Sequence, residues 1–175
     1  MTSSLALIRQ LVFIGRAALL LHLGRYDSAE SFCRSAVKKS GTHPVHHEWL
    51  AKTLWKQGRL DEAVQEYRVA IALRKTTLSM DRIDLIRILL GAHQYNEAII
   101  ECQKLLSPTS HKVSGMFRKM HEHVAYDSLY QAYVGLGDYQ RAKDALVKLL
   151  PLLSHRGRAQ ALRNIAVCEQ YIKNS

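Results

Sequence analysis

One turn pattern occurs four times in this chain and constrains its fold more than any other feature. In each copy a short turn leads to a bulky residue, and a small residue follows three positions later, on the same face of a helix. The copies begin at Gly24, Gly58, His93 and Gly137, separated by 34, 35 and 44 residues. A period in this range is typical of stacked helical hairpins, which build binding scaffolds rather than pockets for chemistry.

The residues of each copy have a simple packing interpretation. Glycine at three of the turns is expected to end the preceding helix, because only a residue without Cβ enters the left-handed conformation at low cost. The small residues are expected where the two helices of a hairpin approach most closely. They are Ala29, Ala63, Ala98 and Ala142.

The helix before each turn carries a second pattern: a large residue, then a large residue followed directly by a small one, then another large residue. An example is His47, Leu50-Ala51 and Leu54. With the turns, this pattern closely resembles the tetratricopeptide repeat family over nearly the whole chain. The resemblance implies an all-α fold, a right-handed superhelical solenoid of about four helical hairpins plus a C-terminal helix. We expect one domain over residues 1–175, with repeats at about 4–39, 44–75, 80–106 and 113–150 and a terminal helix at about 157–173.

Charge and cysteine content limit the partners and the compartment. The chain has 25 basic and 15 acidic residues, a net charge of +10 that is spread along its length and favours acidic partner surfaces. Cys33, Cys102 and Cys168 have no paired spacing and are predicted to be small buried hydrophobic residues in a reducing compartment. The predicted location is therefore intracellular, cytoplasmic or nuclear. A mitochondrial location stays open, because no acidic residue precedes Asp27.

The segment from Leu5 to Leu23 is apolar on nearly every face of a helix. A helix of this kind must be covered on more than one side. Two arginines interrupt it, so we predict no membrane span and favour burial against a second protein or a second copy of the chain. The residues predicted for self-association or for a partner helix are Leu7, Leu11 and Ile14.

The sequence offers little to support chemistry. It contains no GxSxG motif, no glycine-rich phosphate loop and no HExxH motif, so an enzyme is not expected. The histidines at 43, 46 and 47 are predicted to be surface residues; neither a metal nor a cofactor is expected. The interval between the third and fourth turns is the longest and contains a basic stretch at 107–123. This stretch is either an insertion at the edge of the array that carries contacts or an extended start to the next helix.

The resemblance also implies a concave groove lined by the first helix of each hairpin. Residues carried over from the family's groove positions are Leu11, Ile14, Leu21, Glu48, Lys52, Trp55, Ile83, Arg87, Leu90, Asp127 and Gln131. Some members of the family bind chaperones through a clamp of side chains that donate hydrogen bonds to a carboxylate. Ile14, Trp49 and Asp84 stand at clamp positions here and do not supply such donors, so chaperone binding is disfavoured. We expect an amphipathic helix or extended segment, with Lys52 and Arg87 pairing its acidic residues. For Trp55, burial in the core is an equal alternative.

The predicted function is therefore a protein–protein interaction scaffold, a non-enzymatic adaptor subunit of a larger multiprotein complex. Homodimer formation through the N-terminal helix is a secondary prediction. The alternative is an RNA-binding helical-repeat protein that uses its basic surface, since similar arrays read one base per repeat. Glu48 and Asp127 in the proposed groove weigh against nucleic acid.

Overall fold

A computed structural model describes residues 2–74, 79–107 and 115–174, which form an all-α helical repeat fold. The helices are α1 (Thr2–His22), α2 (Tyr26–Lys39), α3 (Pro44–Lys56), α4 (Leu60–Leu73), α5 (Ser79–Gly91), α6 (Tyr95–Leu106), α7 (Gly115–Gly135), α8 (Tyr139–Leu149) and α9 (His155–Lys173). A 3₁₀ turn at Leu150–Leu152 joins the last two. The described ranges contain no β-strand. The helices group into two compact units, Met1–Thr76 and Thr77–Ser175.

The four turns have the same backbone hydrogen bonds. In the second turn Gly58 N–H donates to the Trp55 carbonyl at 3.0 Å and Arg59 N–H donates to the Leu54 carbonyl at 3.0 Å. This pair of bonds satisfies carbonyls that the helix end leaves without partners. The prediction for glycine is confirmed, with φ of 68° at Gly24, 78° at Gly58 and 74° at Gly137. His93 takes the same conformation with φ of 57°, the only positive φ of a non-glycine residue in the described part of the chain.

The small residues after the turns are buried, which fits their predicted place between the two helices of a hairpin. Ala29, Ala63, Ala98 and Ala142 are all completely buried. In the first unit α3 packs against both α2 and α4, whereas α1 packs mainly against α2. Buried side chains of α3 and α4, among them Leu50, Leu54 and Tyr67, form most of this unit's core.

The second unit has one continuous core formed by side chains of α5 to α9. Ala161 and Cys168 of α9 belong to this core, and the ring of Tyr171 stacks on Tyr139 of α8 at 4.3 Å between centroids. Gly135 at the end of α7 lies against the ring of Tyr95, where an added Cβ would approach to 2.3 Å. An added Cβ at this contact would therefore force the Tyr95 ring to move.

The extra residues of the third interval fall partly outside the described residues. From Gly115 onward the chain is already helical and forms the first turns of α7, which fits the extended-helix alternative. Phe117 and Met120 are exposed, at 50% and 40%, and so do not pack on the core. The segment 108–114 lies outside the described residues, and the prediction that it carries contacts stays a prediction.

The cysteines are buried free thiols, which confirms the prediction from their positions. Burial raises the pKa of Cys33 to about 11 and that of Cys102 to about 12. Burial also raises the pKa of Cys168. All three groups therefore remain neutral thiols at neutral pH and act as small core residues.

Candidate functional site

The groove positions predicted on the first unit lie on α1 and α3, and they differ in exposure. Leu11 is the most exposed, at 59%, while Ile14 and Leu21 are half-buried. On α3, Trp55 is 36% exposed. Trp55 therefore keeps part of its ring accessible, and the alternative of complete burial in the core does not apply to it.

An ion cluster on the first unit involves two of the predicted residues. Lys52 Nζ lies 2.6 Å from Glu48 Oε1, and the Arg74 guanidinium contacts the other oxygen of the same carboxylate. Lys52 Nζ also lies 5.3 Å from the centroid of the Trp49 ring. Two cations thus meet one partly buried carboxylate, so Glu48 is not an isolated negative charge at this predicted groove position.

The three histidines near the start of α3 have structural contacts. The His46 ring lies 4.6 Å from Phe13 and 4.8 Å from His43, between centroids, and burial lowers the pKa of His46. The ring nitrogens of His47 face oxygens, Glu66 Oε2 at 2.7 Å and the Gly41 carbonyl at 2.9 Å. His47 is buried, so the prediction of surface histidines is wrong for this residue: it links α3 to α4 and to the loop before α3.

The groove positions predicted on the second unit lie on α5 and α7. Ile83 is only 2% exposed and belongs to the core, and Leu90 is half-buried against that core. Sequence reasoning placed Ile83 in the groove, but the packing of α5 makes it unavailable to a partner. Arg87 is exposed and lies 3.6 Å from Asp84, within the same helix.

On α7, the side chains of Asp127 and Gln131 are joined by a hydrogen bond of 2.8 Å. Gln131 is exposed and Asp127 is half-buried. Together with Arg87 they form the polar part of the predicted contact surface in the second unit. Asp127 and Gln131 are four residues apart, the spacing that places side chains on one helix face.

A cleft of about 320 Å³ in the second unit was not predicted from the sequence. Its walls come from α6, α7 and α8 and include Tyr126, Tyr133, Arg141 and Lys148. The Arg141 guanidinium lies 4.8 Å from the centroid of the Tyr133 ring. The signal was present in the sequence, because the two tyrosines and the two basic residues each lie seven residues apart and so share a helix face.

Metal binding has no support among the residues that the structure describes, where no group of three or more His, Cys, Asp or Glu side chains is placed to hold an ion.

Helix α1 contains a long apolar stretch. The stretch Leu5–His22 is long and apolar enough to cross a membrane, by length and composition only, with a mean hydropathy of 1.6 and 11% of its residues buried. The sequence-based expectation of no membrane span stays a prediction.

Comparison with protein families agrees with the repeat geometry. One tetratricopeptide repeat model matches residues 10–35, and a second matches residues 50–82. The first match covers α1 from Gln10 onward and most of α2, and the second covers α3 from Leu50 onward, α4 and the start of α5. The chain therefore contains matches to tetratricopeptide repeats at residues 10–35 and 50–82. No curated protein sequence matches it.

Several solved structures share its fold at low sequence identity. MamA superposes with a TM-score of 0.72 at 16% identity, covering 94% of this chain and 82% of MamA. YrrB, described as a TPR protein with an unusual peptide-binding site, gives 0.68 at 14%, covering 99% and 84%. PilF of Pseudomonas aeruginosa gives 0.68 at 16%, covering 94% and 69%. At these identities the likeness establishes the fold alone.

Proposed function

We propose that this chain is a non-enzymatic adaptor that binds a segment of another protein through the first helices of its hairpins. The observation that supports it most directly is the surface of α3, where a partly exposed tryptophan lies in a helix that also carries an ion cluster. Tetratricopeptide arrays in general are protein-binding scaffolds of this kind. The buried free thiols fit a reducing compartment, so we propose an intracellular location.

The surface of the first unit combines an aromatic anchor with positive charge. The Trp55 ring has 36% of its surface accessible, and Lys56 Nζ lies 5.1 Å from its centroid. Lys52 lies one turn before Lys56 on the same helix. An apolar partner side chain can pack on the ring while acidic side chains beside it meet the two ammonium groups. Trp55 is therefore the residue we expect to contribute most to affinity.

The surface of the second unit is more polar. Arg87 has a 55% exposed side chain, and its distance of 3.6 Å from Asp84 is that of a loose ion pair. A partner carboxylate can replace that contact with a bidentate one, because the guanidinium presents several donors in a fixed plane. Asp127 and Gln131 supply further hydrogen-bonding groups. We expect this unit to add specificity more than affinity.

Peptide display against the full-length chain tests this proposal. Peptides selected on the wild-type protein are expected to combine large apolar and acidic residues. Trp55→Ala should weaken their binding by about thirty-fold, which corresponds to roughly 2 kcal/mol for an aromatic anchor. The matched control is Val69→Ala, because Val69 is a large apolar residue of α4 with 42% exposure and lies outside the predicted surface.

Two arginine variants test whether the binding of these peptides requires the positive charge of the predicted surface. Arg87→Ala should reduce the affinity of the selected peptides, whereas Arg118→Ala, another exposed arginine with a carboxylate in its own helix, should not. Lys52→Gln removes the ammonium without adding a negative charge beside Glu48. Unchanged binding by both Trp55→Ala and Lys52→Gln would contradict the proposal.

RNA binding is less well supported by the described side chains. Much of the basic charge already faces carboxylates: Arg34 and Arg59 contact Glu30 and Glu62, and Arg82 contacts Glu101. Neutralised cations release fewer counterions from a phosphate backbone and so contribute less to binding. A gel shift at physiological salt discriminates between the two functions. Sequence-selective RNA binding below micromolar concentration would replace the adaptor proposal.

A further inference from the structure

Helix α1 exposes an apolar arc that its packing in the repeat leaves uncovered. Among its described side chains only Phe13 and Ala17 are buried. The apolar residues that are more than half exposed fall together on the side opposite these two, as helical spacing of 3.6 residues per turn requires. They are Leu5, Leu7, Ile8, Leu11, Val12 and Leu19.

The charges of α1 lie at the border of this arc. Arg9 and Arg16 are seven residues apart and share the boundary between the exposed arc and the packed stripe. The Arg16 guanidinium lies 4.7 Å from the centroid of the Phe32 ring on α2, which holds it at that boundary. The first acidic residue in the sequence is Asp27, so α1 has positive charge without a counter-charge of its own.

These charges favour one occupant of the arc over another. A second copy of the chain would bring the same net charge of +10 and a second set of Arg9 and Arg16, with no acidic residue on either α1 to pair them. An anionic lipid surface supplies acyl chains for the leucines and phosphates for the arginines. The stretch Leu5–His22 has a mean hydropathy of 1.6 and is apolar enough for a membrane by length and composition only.

We propose that α1 lies in the plane of an anionic membrane surface, with its exposed arc in the headgroup region and Phe13 and Ala17 still packed on α2. This explains why the sequence of α1 is apolar all round: one stripe covers the protein and the opposite arc covers lipid. Long arginine side chains at such a boundary reach the headgroups while their stems stay on apolar surface. The membrane contact uses Leu11 of α1, so protein binding is then left to α3 and to the second unit, on which the membrane contact does not depend.

Vesicle flotation with the full-length chain tests the proposal. We expect binding to vesicles of phosphatidylcholine and phosphatidylserine in a three-to-one ratio that is at least ten-fold tighter than binding to pure phosphatidylcholine, and weaker at high salt. Ile8→Gln/Leu11→Gln should abolish binding. The matched control Ile100→Gln/Val147→Gln changes exposed apolar residues of α6 and α8, at 49% and 51% exposure, and should bind like wild type.

The charge contribution is tested by Arg9→Gln, which leaves the Arg16 contact with Phe32 intact. This variant should bind the anionic vesicles about five-fold more weakly. Circular dichroism shows whether each variant keeps its helices, and a variant that loses them is replaced by Ile8→Ser. Light scattering without lipid tests the competing explanation, in which the exposed arc of α1 forms a dimer. Absence of vesicle binding, equal binding to neutral vesicles, or a dimer that Ile8→Gln/Leu11→Gln dissociates without any lipid binding would overturn the proposal.

Discussion

Helices α1 and α3 are the first helices of two consecutive hairpins, yet they are buried very differently. Only Phe13 and Ala17 are buried among the described side chains of α1, whereas five residues are buried in the shorter α3. The difference comes from neighbours, because α3 packs between α2 and α4 and α1 packs mainly on α2. The same repeat pattern therefore specifies a hairpin but not how much of its first helix becomes core.

Leu54→Ala should have the largest effect on stability. Leu54 is completely buried in α3, and its truncation should lower the free energy of unfolding by about 2–5 kcal/mol through lost burial and a residual cavity. The matched change in α1, Leu11→Ala, should stay within about 0.5 kcal/mol because Leu11 is exposed. Urea denaturation followed by circular dichroism measures both. Equal losses for the two variants would break the comparison between the helices.

Ala63→Leu tests how closely α3 and α4 pack in the second hairpin. Ala63 has no accessible surface, so three added carbon atoms must force α3 and α4 apart, at a cost of about 1–3 kcal/mol. Ala72→Leu on the exposed face of α4 is the control, since leucine and alanine differ little in helix propensity. Thermal unfolding of the two variants gives the difference. A melting temperature that drops equally in both would mean that the hairpin has room at Ala63.

Glu30→Gln tests how α2 is attached to the second hairpin. Glu30 accepts hydrogen bonds from Arg34 at 2.8 Å, from Gln57 at 3.0 Å and from Arg59 at 2.7 Å. The bond from Arg34, with those from Gln57 and Arg59, lowers the pKa of Glu30 from 4.5 to about 2. At pH 7 the variant should be less stable by about 1 kcal/mol, because a charge-assisted network loses its acceptor charge.

The pH dependence follows from the direction of that shift. A carboxyl group with a lowered pKa in the folded state stabilises the protein fully above about pH 4.5, and its contribution is lost as the pH falls towards 2. The difference between wild type and Glu30→Gln should therefore shrink over that range in acid titrations of urea stability. Glu169→Gln, which removes an exposed carboxylate 3.6 Å from Lys143, is the control. A difference that is constant down to pH 2 would contradict this assignment.

Local features could be predicted from the sequence because they depend on neighbouring residues. The turn glycines, the buried alanines after them and the neutral buried cysteines all follow from spacing of a few residues. Contacts between distant residues could not be predicted. Arg74 reaches Glu48 across 26 residues, and Ile83 is drawn into a core built by helices that follow it. A groove position on one helix is exposed only if the packing of its neighbours leaves it so.

His93→Gly extends the comparison to the turns, with the smallest expected effect. His93 holds the left-handed conformation that glycine takes in the other three turns, which costs a residue with Cβ about 1–2 kcal/mol. The substitution also removes the contact of His93 Nδ1 with the Tyr95 hydroxyl at 2.6 Å and adds freedom to the unfolded chain. We expect a net gain of about 0.5 kcal/mol in urea denaturation. His93→Ala separates the two contributions, because it keeps the strained backbone and removes only the ring. If His93→Ala were as stable as His93→Gly, the backbone of this turn would cost no more than the glycine turns, and the histidine ring itself would account for the difference.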